Sequence, residues 1–452
     1  MSFHPPYLRD TLQRLSEQRG LKDLPEFYLG LSGGLDSIVL LHALVAAGIT
    51  PKVLHIHHKL SSLADQWAEF CERTCLEWNV PFSCERVAVE SQGKGLEDAA
   101  RQARYAAFEN HMTPNAVLLT AHHQDDQAET ILLRLMRGAG PKGLAGMSEC
   151  RPLGQGELWR PLLNQTREAL TAYAQQHQLQ WVEDDSNQNQ HFDRNFLRQQ
   201  VMPLLAQRWP GFTERWQHSA SLCGELDTLA IDRAKQDLNE ADWRTERLGA
   251  SLNLSTFLTF KPARRGQLLR TACDQLGYTP PGSTHLNQLN QQLAQARPDA
   301  KIDVRWSDYS LRPYNQRLYL LPQLPPEAEP TEPRHWDGIS PLTFKHCRLH
   351  TLESSNTPRL SPNSGPYQIR FRQGGERCKP AGRQHSQTLK KLLQSHPLEP
   401  WLRPHVPLIY AGETLAAVGD LWICEGFQAP DQTLGLQVVC DYSLVGMKTI
   451  II

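Results

Sequence analysis

The chain has 452 residues, of which 40% are hydrophobic and 21% charged, and its formal net charge at pH 7 is −1. This composition is that of a globular protein and excludes extensive disorder, and the length predicts about two to four domains. The near-neutral balance excludes attraction of nucleic acid by the whole molecule, so any such binding must use a local basic patch.

The sequence carries no signal for export or membrane insertion. It has no run of about 18 apolar residues, and its opening stretch "MSFHPPYLRD" lacks the basic start and apolar centre of a signal peptide. We therefore expect a cytoplasmic protein that does not enter the membrane. The ten cysteines include no C-x-x-C pair, and Cys71 and Cys75, four residues apart in a helical pattern, are predicted to be packed thiols.

The first 135 residues alternate short apolar runs with helical patterns. The runs are "FYLGLS", "KVLHIHH", "PFSCERVAV" and "NAVLLTAHH", and the helical patterns between them include "SIVLLHALVAAG" and "LEDAARQARYAAFENHM". This alternation predicts an α/β fold in which helices cover both faces of a parallel sheet. Ligands of such sheets bind beyond the carboxyl ends of the strands, and "SGGLDS" (32–37) stands at such an end.

The stretch "SGGLDS" has the glycines of a phosphate-binding loop but not its lysine. Gly33 and Gly34 follow a strand and precede a helix, which presents backbone N–H groups to an anion. Asp36 and Ser37 occupy the place of the lysine and hydroxyl of a Walker A loop. A carboxylate repels phosphate unless a cation lies between them, so Asp36 is interpreted as an anchor for Mg²⁺. The alternative is a glycine turn with a capped helix.

A second polar cluster, "AHHQDDQAET" (121–130), also follows an apolar run and begins a helix. Asp126 and Glu129 are three residues apart and share one helical face. Because both clusters follow strands, they should reach the same edge of the sheet. The two carboxylates predict a magnesium site, a site for a substrate ammonium group, or both, whereas His122 and His123 are interpreted as structural histidines.

A stripe of charged residues precedes this cluster in "GLEDAARQARYAAF" (95–108). Glu97, Arg101 and Arg104 stand at positions i, i+4 and i+7 of a predicted helix. Such a stripe on its own is typical of a solvated ion-pair ladder. Beside a nucleotide site, however, the arginines can clamp phosphate.

After about residue 217 the alternation of strands and helices stops. "WQHSASLCGELDTLAIDRAKQDL" and "RRGQLLRTACDQLG" predict helices, and residues 301–321 predict a hairpin. A linker rich in proline and glutamate (322–335) precedes short strands and two helical stretches around "SQTLKKLLQSH" and "PLEPWLR". The expected organisation is a Rossmann-like α/β domain over 1–217, a smaller mixed and largely helical domain over 218–325, and an α+β domain over 336–452.

Residues 370–403 are strongly basic in a chain that is nearly neutral. This segment contains eight lysine and arginine residues but only two acidic residues, Glu376 and Glu399. Such an excess suits an RNA backbone, which it positions without reading sequence, and the alternative is a charged, solvated face. The cations are Arg370, Arg372, Arg377, Lys379, Arg383, Lys390, Lys391 and Arg403.

Together these motifs resemble a known family. "SGGLDS" matches the S-G-G-x-D-S signature of the N-type ATP pyrophosphatase, or PP-loop, superfamily. The stretches "LEDAARQARYAAF", "HHQDDQAETILLRLMRGAGPKGLAGM", "RPLL" (160–163) and "DDSNQNQHFDRNFLR" (184–198) narrow the resemblance to the tRNA(Ile)-lysidine synthetases. "RFRQGGERCKPAGRQHSQTLKKLLQ" (370–394) is similar to their C-terminal tRNA-binding domain, so the resemblance covers most of the chain.

The resemblance implies a reaction as well as a fold. A PP-loop ATPase domain, a middle substrate-binding domain and a tRNA-binding domain would join L-lysine to C2 of the wobble cytidine of tRNA(Ile) with the anticodon CAU. ATP first adenylates the C2 oxygen and releases pyrophosphate, and the lysine amine then displaces AMP. The product, lysidine, changes decoding from AUG to AUA. ATP and Mg²⁺ are the implied cofactors, and a homodimer is compatible with the sequence.

The resemblance also implies roles for individual residues. ATP binding falls to Ser32, Gly33, Gly34, Leu35, Asp36 and Ser37. Catalysis falls to Asp36, Asp126, Glu129 and Arg101, and Mg²⁺ binding to Asp36 and Asp126. Substrate or tRNA binding falls to Glu97, Arg104, Arg194, Asn195, Arg198, Arg370, Arg372, Lys379, Arg383, Lys390 and Lys391. The division of Asp126 and Glu129 between metal and lysine stays open, as does the carboxylate that takes the proton of the lysine amine, whose ordinary pKa is about 10.4.

Two other functions fit parts of the sequence. A tRNA 2-thiolation enzyme of the same superfamily also adenylates a base, but it would need cysteines to carry sulfur or an iron–sulfur cluster, typically in C-x-x-C pairs, and none occurs. A nucleotide-dependent RNA-binding protein without catalysis would not need Asp36, Asp126 and Glu129 together near phosphate.

Overall fold

A computed structural model describes residues 3–21, 23–59, 61–89, 96–183, 192–295, 302–324, 332–355, 359–362, 365–430 and 433–442, with the backbone alone for 96–98. The chain divides into two compact units, Met1–Thr228 and Leu229–Ile452. In the described part of the chain, no helix is long and apolar enough to span a membrane.

The first unit consists of a six-stranded sheet covered by helices. Its strands are β1 (Glu26–Gly30), β2 (Lys52–His57), β3 (Phe82–Arg86), β4 (Ala116–Leu119), β5 (Cys150–Leu153) and β6 (Gly156–Trp159). Its helices are α1 (Pro5–Gln18), α2 (Leu35–Ala46), α3 (Ala64–Glu77), α4 (Leu96–Glu109), α5 (Gln124–Met136), α6 (Pro141–Leu144), α7 (Arg167–Gln176), α8 (Asp193–Phe196) and α9 (Met202–Arg208). A π-helical turn, Leu197–Val201, joins α8 to α9, and α10 (Phe212–Glu240) runs on into the second unit.

The sheet has the strand order β3-β2-β1-β4-β6-β5, and every pair is parallel except β5 with β6. The chain moves outward from β1 to β3 and then returns to the other side of β1 with β4. The neighbours β1 and β4 therefore flank a topological switch point, where ligands of open α/β sheets bind. This confirms the predicted Rossmann-like sheet, although the sequence pattern missed the short strands β5 and β6.

The two faces of the sheet carry different helices. Helix α2 is apolar on nearly all sides and is buried against the sheet with α1 and α7. On the other face, Phe108 of α4 packs in a core with Leu54 of β2, Leu118 of β4 and Leu158 of β6. Cys71 and Cys75 are fully buried in α3, as predicted. The packing of α2 fixes its first turn, and therefore Asp36, at the carboxyl end of β1.

The second unit begins with an antiparallel sheet of order β7-β8-β11-β10-β9. Its strands are β7 (Arg244–Thr245), β8 (Ala250–Asn253), β9 (Val304–Trp306), β10 (Tyr309–Tyr314) and β11 (Arg317–Pro322). Three helices pack on it: α11 (Leu254–Thr259), α12 (Pro262–Gln275) and α13 (Ser283–Gln295). The predicted hairpin over 301–321 is confirmed as β9 to β11.

The rest of the second unit is built from short antiparallel strands. They are β12 (Arg334–Trp336), β13 (Leu342–Thr343), β14 (Arg348–Ser354), β15 (Tyr367–Arg370), β16 (Arg377–Cys378), β17 (Gln387–Thr388), β18 (Leu408–Ala411), β19 (Thr414–Val418), β20 (Trp422–Ile423) and β21 (Gly435–Asp441). Helix α14 (Leu389–Ser395) confirms one predicted helical stretch. The helix predicted around "PLEPWLR" is wrong, because turns there lead only into a 3₁₀ turn, Arg403–His405.

Within the second unit, the middle and C-terminal regions share one hydrophobic core. Tyr319 and Leu321 of β11 belong to the same buried cluster as Trp336 and Tyr367, and the rings of Tyr319 and Trp401 are 4.9 Å apart. Half of the proposed linker, residues 325–331, lies outside the described residues. The division into three domains stays a prediction.

Candidate active site

The loop after β1 has the form of an anion cradle. Gly33 has a φ of +86°, and a Cβ there would lie 2.9 Å from Cγ2 of Val182 and 3.1 Å from Sγ of Cys71. Both its conformation and its surroundings therefore require glycine. Ser32 Oγ accepts from the Gly34 N–H at 3.3 Å, and Ser37 Oγ donates to the Gly34 carbonyl at 2.9 Å. These bonds fix the turn that leads into the N-terminus of α2.

Asp36, in the first turn of α2, lies next to His123. Oδ2 of Asp36 is 3.6 Å from Nε2 of His123, and Oδ1 of Asp36 is buried with no hydrogen-bond partner from any described residue. His123 is the residue before α5, and its side chain is only 2% exposed. The loops after β1 and β4 are thus brought together at the switch point, as the sequence predicts.

His123 is surrounded by three carboxylates. Its Nε2 lies 3.4 Å from Oδ2 of Asp126, and its Nδ1 lies 3.5 Å from Oδ2 of Asp125. Burial by itself would lower the pKa of His123, but Asp126, Asp125 and Asp36 raise this pKa to about 10. The three carboxylates therefore favour the cationic form of His123 near neutral pH, and the interpretation of this residue as a structural histidine stays a prediction.

Asp126 and Glu129 form a buried network with two arginines. Arg194 Nε donates to Oε2 of Glu129 at 2.7 Å, and Arg198 Nε donates to Oε1 at 2.8 Å. Arg198 Nη2 also donates to Oδ1 of Asp126 at 3.1 Å. The Glu129 side chain is 2% exposed and that of Asp126 13%. Both oxygens of Glu129 are thus occupied by guanidinium groups.

This network holds its members in their charged forms. Burial would raise the pKa of Asp126, but His123 and Arg194 lower it to about 2. Burial would likewise lower the pKa of Arg198, but Glu129 raises it. In the part of the chain that the structure describes, no group of three or more His, Cys, Asp and Glu side chains is arranged to hold a metal ion.

The remaining predicted residues of this unit lie around the same edge. The Arg101 guanidinium packs 5.2 Å from the Tyr105 ring centroid. Arg104 is close to His58, whose pKa is lowered to about 4 mainly by burial and then by Arg104. Asn195 is half-buried in α8. Glu97 lies outside the residues whose side chains the structure describes.

Comparison with known proteins assigns the chain to a family. A PP-loop domain model matches residues 7–205, a TilS substrate binding domain model residues 252–319, and a TilS substrate C-terminal domain model residues 367–440. The tRNA(Ile)-lysidine synthase of Serratia proteamaculans is 41% identical over 413 residues, which are 89% of this chain and 92% of that protein. The chain belongs to the tRNA(Ile)-lysidine synthase family. The family resemblance inferred from the motifs is therefore confirmed.

Other comparisons give the following similarities. The tRNA(Ile)-lysidine synthase of Pectobacterium atrosepticum is 43% identical over 408 residues, covering 88% of this chain and 91% of its own. Among solved structures, the U34-tRNA thiolase NcsA from Methanococcus maripaludis is 14% identical, covers 48% of this chain and 80% of its own, and has a TM-score of 0.40. As a PP-loop member of the lysidine synthase family, the chain uses ATP.

The C-terminal domain of this lysidine synthase family member contains the predicted tRNA-binding cations, but three of them have acidic partners. Arg370 pairs with Glu413 at 3.0 Å, Lys379 with Glu425 at 2.7 Å, and Arg372 approaches Glu376 at 3.9 Å. Two of these glutamates, Glu413 and Glu425, lie outside the 370–403 segment. The net charge counted within the segment is therefore more positive than the net charge of the surface that these residues form in the fold. The exposed cations are Arg377, Arg383, Lys390 and Lys391.

Sequence reasoning missed some residues that the structure places at or near the switch point. The sequence did contain a signal for a role of His123 at the site, because this residue lies between the end of a strand and two carboxylates, Asp125 and Asp126. Arg160, which follows β6, is 3% exposed, and Arg151 and Tyr105 lie beside it. The motif "RPLL" pointed to the position of Arg160 but not to its neighbours.

Proposed function

We propose that this chain ligates L-lysine to C2 of the wobble cytidine of CAU-anticodon tRNA(Ile), with ATP cleaved to AMP and pyrophosphate. The observation that carries the proposal is the junction of Asp36 with His123 and Asp126 at the switch point, in a chain that matches its family over about nine tenths of its length. The backbone N–H groups after Gly33, at the N-terminus of α2, would receive the pyrophosphate leaving group.

Asp36 is the residue best suited to hold Mg²⁺. Its Oδ1 is buried and has no hydrogen-bond partner in the described part of the chain, which fits a hard cation that takes one carboxylate and phosphate oxygens. When bound, Mg²⁺ would offset the negative charge that develops on the leaving pyrophosphate. Asp126 is a weaker candidate, because its Oδ1 accepts from Arg198 and its Oδ2 from the His123 backbone N–H.

Lysine binding is assigned to the network of Asp126, Glu129, Arg194 and Arg198. The α-carboxylate and ammonium groups of an amino acid need cations and carboxylates close together, and this network provides two of each. The remaining N–H groups of the two arginines would receive the carboxylate, and Asp126, which is more exposed than Glu129, would receive an ammonium group, while Glu129 holds the arginines in place. His123 keeps Asp36 and Asp126 close despite their like charge, and as a cation it is not the acceptor of the lysine proton.

The tRNA would be held by the exposed C-terminal cations. Arg377, Arg383, Lys390 and Lys391 are exposed, which allows them to reach backbone phosphates. Such contacts position an RNA without reading its sequence. Discrimination of tRNA(Ile) from tRNA(Met) therefore needs other contacts.

Transfer of labelled lysine tests the proposal. Purified protein is incubated with ATP, Mg²⁺ and unmodified CAU-anticodon tRNA(Ile), with tRNA(Met) as the control. Incorporation that depends on ATP and is confined to tRNA(Ile) is expected. No incorporation, together with AMP release only when a sulfur donor replaces lysine, would overturn the proposal in favour of 2-thiolation.

A further inference from the structure

Three arginines converge on one tyrosine beside the candidate active site. Arg151 of β5 lies 4.8 Å and Arg101 of α4 lies 5.2 Å from the Tyr105 ring centroid. The Tyr105 phenol also contacts the guanidinium groups of Arg151 and Arg160. We call Arg101, Arg151 and Arg160 with Tyr105 the arginine cluster. It lies on the α4 face of the sheet, because Tyr105 packs against the core that contains Leu158.

Acidic side chains do not balance the positive charge of the arginine cluster in the part of the chain whose side chains the structure describes, which does not include Glu97, one turn before Arg101 on α4. Among the side chains that the structure describes, none of its three arginines has a carboxylate partner. Besides their contacts with the Tyr105 phenol, Arg151 donates to the Pro152 carbonyl at 3.1 Å and Arg160 to the Ser148 carbonyl at 2.6 Å. By contrast, Arg194 and Arg198 are paired with Asp126 and Glu129.

Arg160 has an unused donor in this cluster. Its side chain is 3% exposed, and its Nε is buried without a hydrogen-bond partner among the residues that the structure describes. A buried, unpaired guanidinium N–H is costly, since such groups are normally satisfied by an acceptor. An anion between the arginines would supply that acceptor and the missing negative charge.

The positive charge of the arginine cluster also shifts the pKa values of two neighbouring residues, Tyr105 and His122. Burial would raise the pKa of Tyr105, yet Arg101, Arg160 and Arg151 lower it. Burial is the main cause that lowers the pKa of His122 to about 3, and Arg160 is among the charges that add to this effect. His122 follows β4 as Arg160 follows β6, so the positive field reaches the switch point.

We propose that the arginine cluster binds a phosphate group of the tRNA backbone next to the target cytidine. This inference rests on the proposed function, which brings that cytidine to the switch point. Phosphates also occur in ATP, but the loop after β1 already provides donors for them. Arg160 follows β6, two strands from β1, which is about 10 Å at the usual strand spacing. That offset suits a neighbouring group of the RNA rather than the nucleotide in the PP-loop.

Arg151 is the residue to test, because it is half-exposed on an edge strand and has no assigned role in catalysis. Filter binding of unmodified tRNA(Ile) is measured for the wild type, Arg151→Gln and Arg151→Lys at several salt concentrations, without ATP. Arg9→Gln is the matched control, since Arg9 is exposed on α1, which packs on the opposite face of the sheet. Thermal unfolding confirms that each variant is folded.

Arg151→Gln should weaken tRNA binding roughly three- to tenfold and reduce the slope of log Kd against log salt by about 0.7 to 0.9. Arg151→Lys should keep the slope, and Arg9→Gln should match the wild type. The ATP Kd, measured by calorimetry without tRNA, should be unchanged in Arg151→Gln. An unchanged tRNA Kd and slope in Arg151→Gln would overturn the inference, and a loss confined to ATP binding would assign the site to nucleotide phosphate instead.

Failure of this inference differs from failure of the proposed function. Binding and its salt slope are measured without turnover, so a wild type that transfers no lysine can still show the Arg151 effect. Conversely, the wild type can transfer lysine normally while the slope of log Kd against log salt is the same in Arg151→Gln as in the wild type. That result would reject the phosphate site and leave the proposed function intact.

Discussion

Nε of Arg198 donates a 2.8 Å hydrogen bond to Oε1 of Glu129, a residue 69 positions earlier in the chain. This contact ties the segment after α7 to the first turns of α5. Arg194 makes the equivalent bond to the other oxygen of Glu129, so one buried carboxylate orders two arginines. The network brings two carboxylates and two guanidinium groups together, which offers an amino-acid substrate charges of both signs at one place.

Glu129→Gln should impair lysine use more than ATP use. The amide leaves Arg194 and Arg198 without their shared anion, so the KM for lysine should rise at least tenfold while the KM for ATP changes little. Stability should fall by about 1 to 3 kcal/mol because Glu129 is buried. Steady-state kinetics and urea unfolding measure both, with Glu168→Gln on the exposed start of α7 as the control. An equal rise in both KM values would contradict a specific role in lysine binding.

Asp36→Ala should abolish ATP-dependent chemistry while leaving tRNA affinity nearly intact. The change removes the proposed Mg²⁺ anchor but no residue of the exposed C-terminal basic surface. Pyrophosphate release and tRNA filter binding are the two measurements, and Asp10→Ala on the exposed face of α1 is the control. An equal loss of tRNA binding in Asp36→Ala would count against the metal-anchor role.

Gly33→Ala and Gly48→Ala separate backbone strain from the need for space. Both glycines have positive φ, +86° and +75°, but a Cβ at Gly48 would meet nothing within 4 Å. Each change should cost about 1 kcal/mol through the left-handed conformation. Only Gly33→Ala should also displace the loop and weaken ATP binding, measured by calorimetry. Normal ATP affinity in Gly33→Ala would show that the cradle tolerates a methyl group.

The sequence predicted the parts of the site that depend on local patterns. A strand, a glycine turn and a helix start follow one another at "SGGLDS" within about ten residues. Local sequence alone therefore predicted that this loop lies at the carboxyl end of a strand. The Arg198–Glu129 bond was not predictable in this way, because spacing within one helix says nothing about a partner 69 positions away. Strands β5 and β6 were missed because four residues are too few to establish a period.

The net charge of the C-terminal segment also depends on contacts between residues that are far apart in the sequence, which local patterns do not predict. Counting residues 370–403 identified the basic stretch, but Glu413 and Glu425 approach it only after the sheet has formed. The charged partners of His123 were only partly predictable for a related reason. Its neighbour Asp126 is visible in the sequence, whereas Asp36 becomes a neighbour only through the pairing of β1 with β4.

The raised pKa of His123 predicts a pH-dependent contribution to stability. The pKa is about 10 in the folded protein and 6.5 ordinarily, so the folded state binds this proton more tightly. The stabilisation is complete below pH 6.5 and is lost as the pH rises towards 10. The free energy of unfolding in urea should therefore fall more steeply between pH 6.5 and 10 for the wild type than for His123→Gln. His218→Gln, on the exposed surface of α10, should keep the wild-type slope, and equal slopes for all three proteins would refute the cationic assignment.

Exposed and paired cations of the C-terminal domain should differ in their effect on tRNA binding. Lys391→Gln removes an exposed charge, and it should weaken binding and lower the salt slope by about 0.7 to 0.9. Arg370→Gln removes a charge that Glu413 already offsets, so its effect on the slope should be smaller. Filter binding between 50 and 200 mM salt, roughly the range over which phosphate contacts lose affinity, distinguishes the two. A larger change in Arg370→Gln than in Lys391→Gln would mean that RNA displaces Glu413 and that the paired residue is the contact.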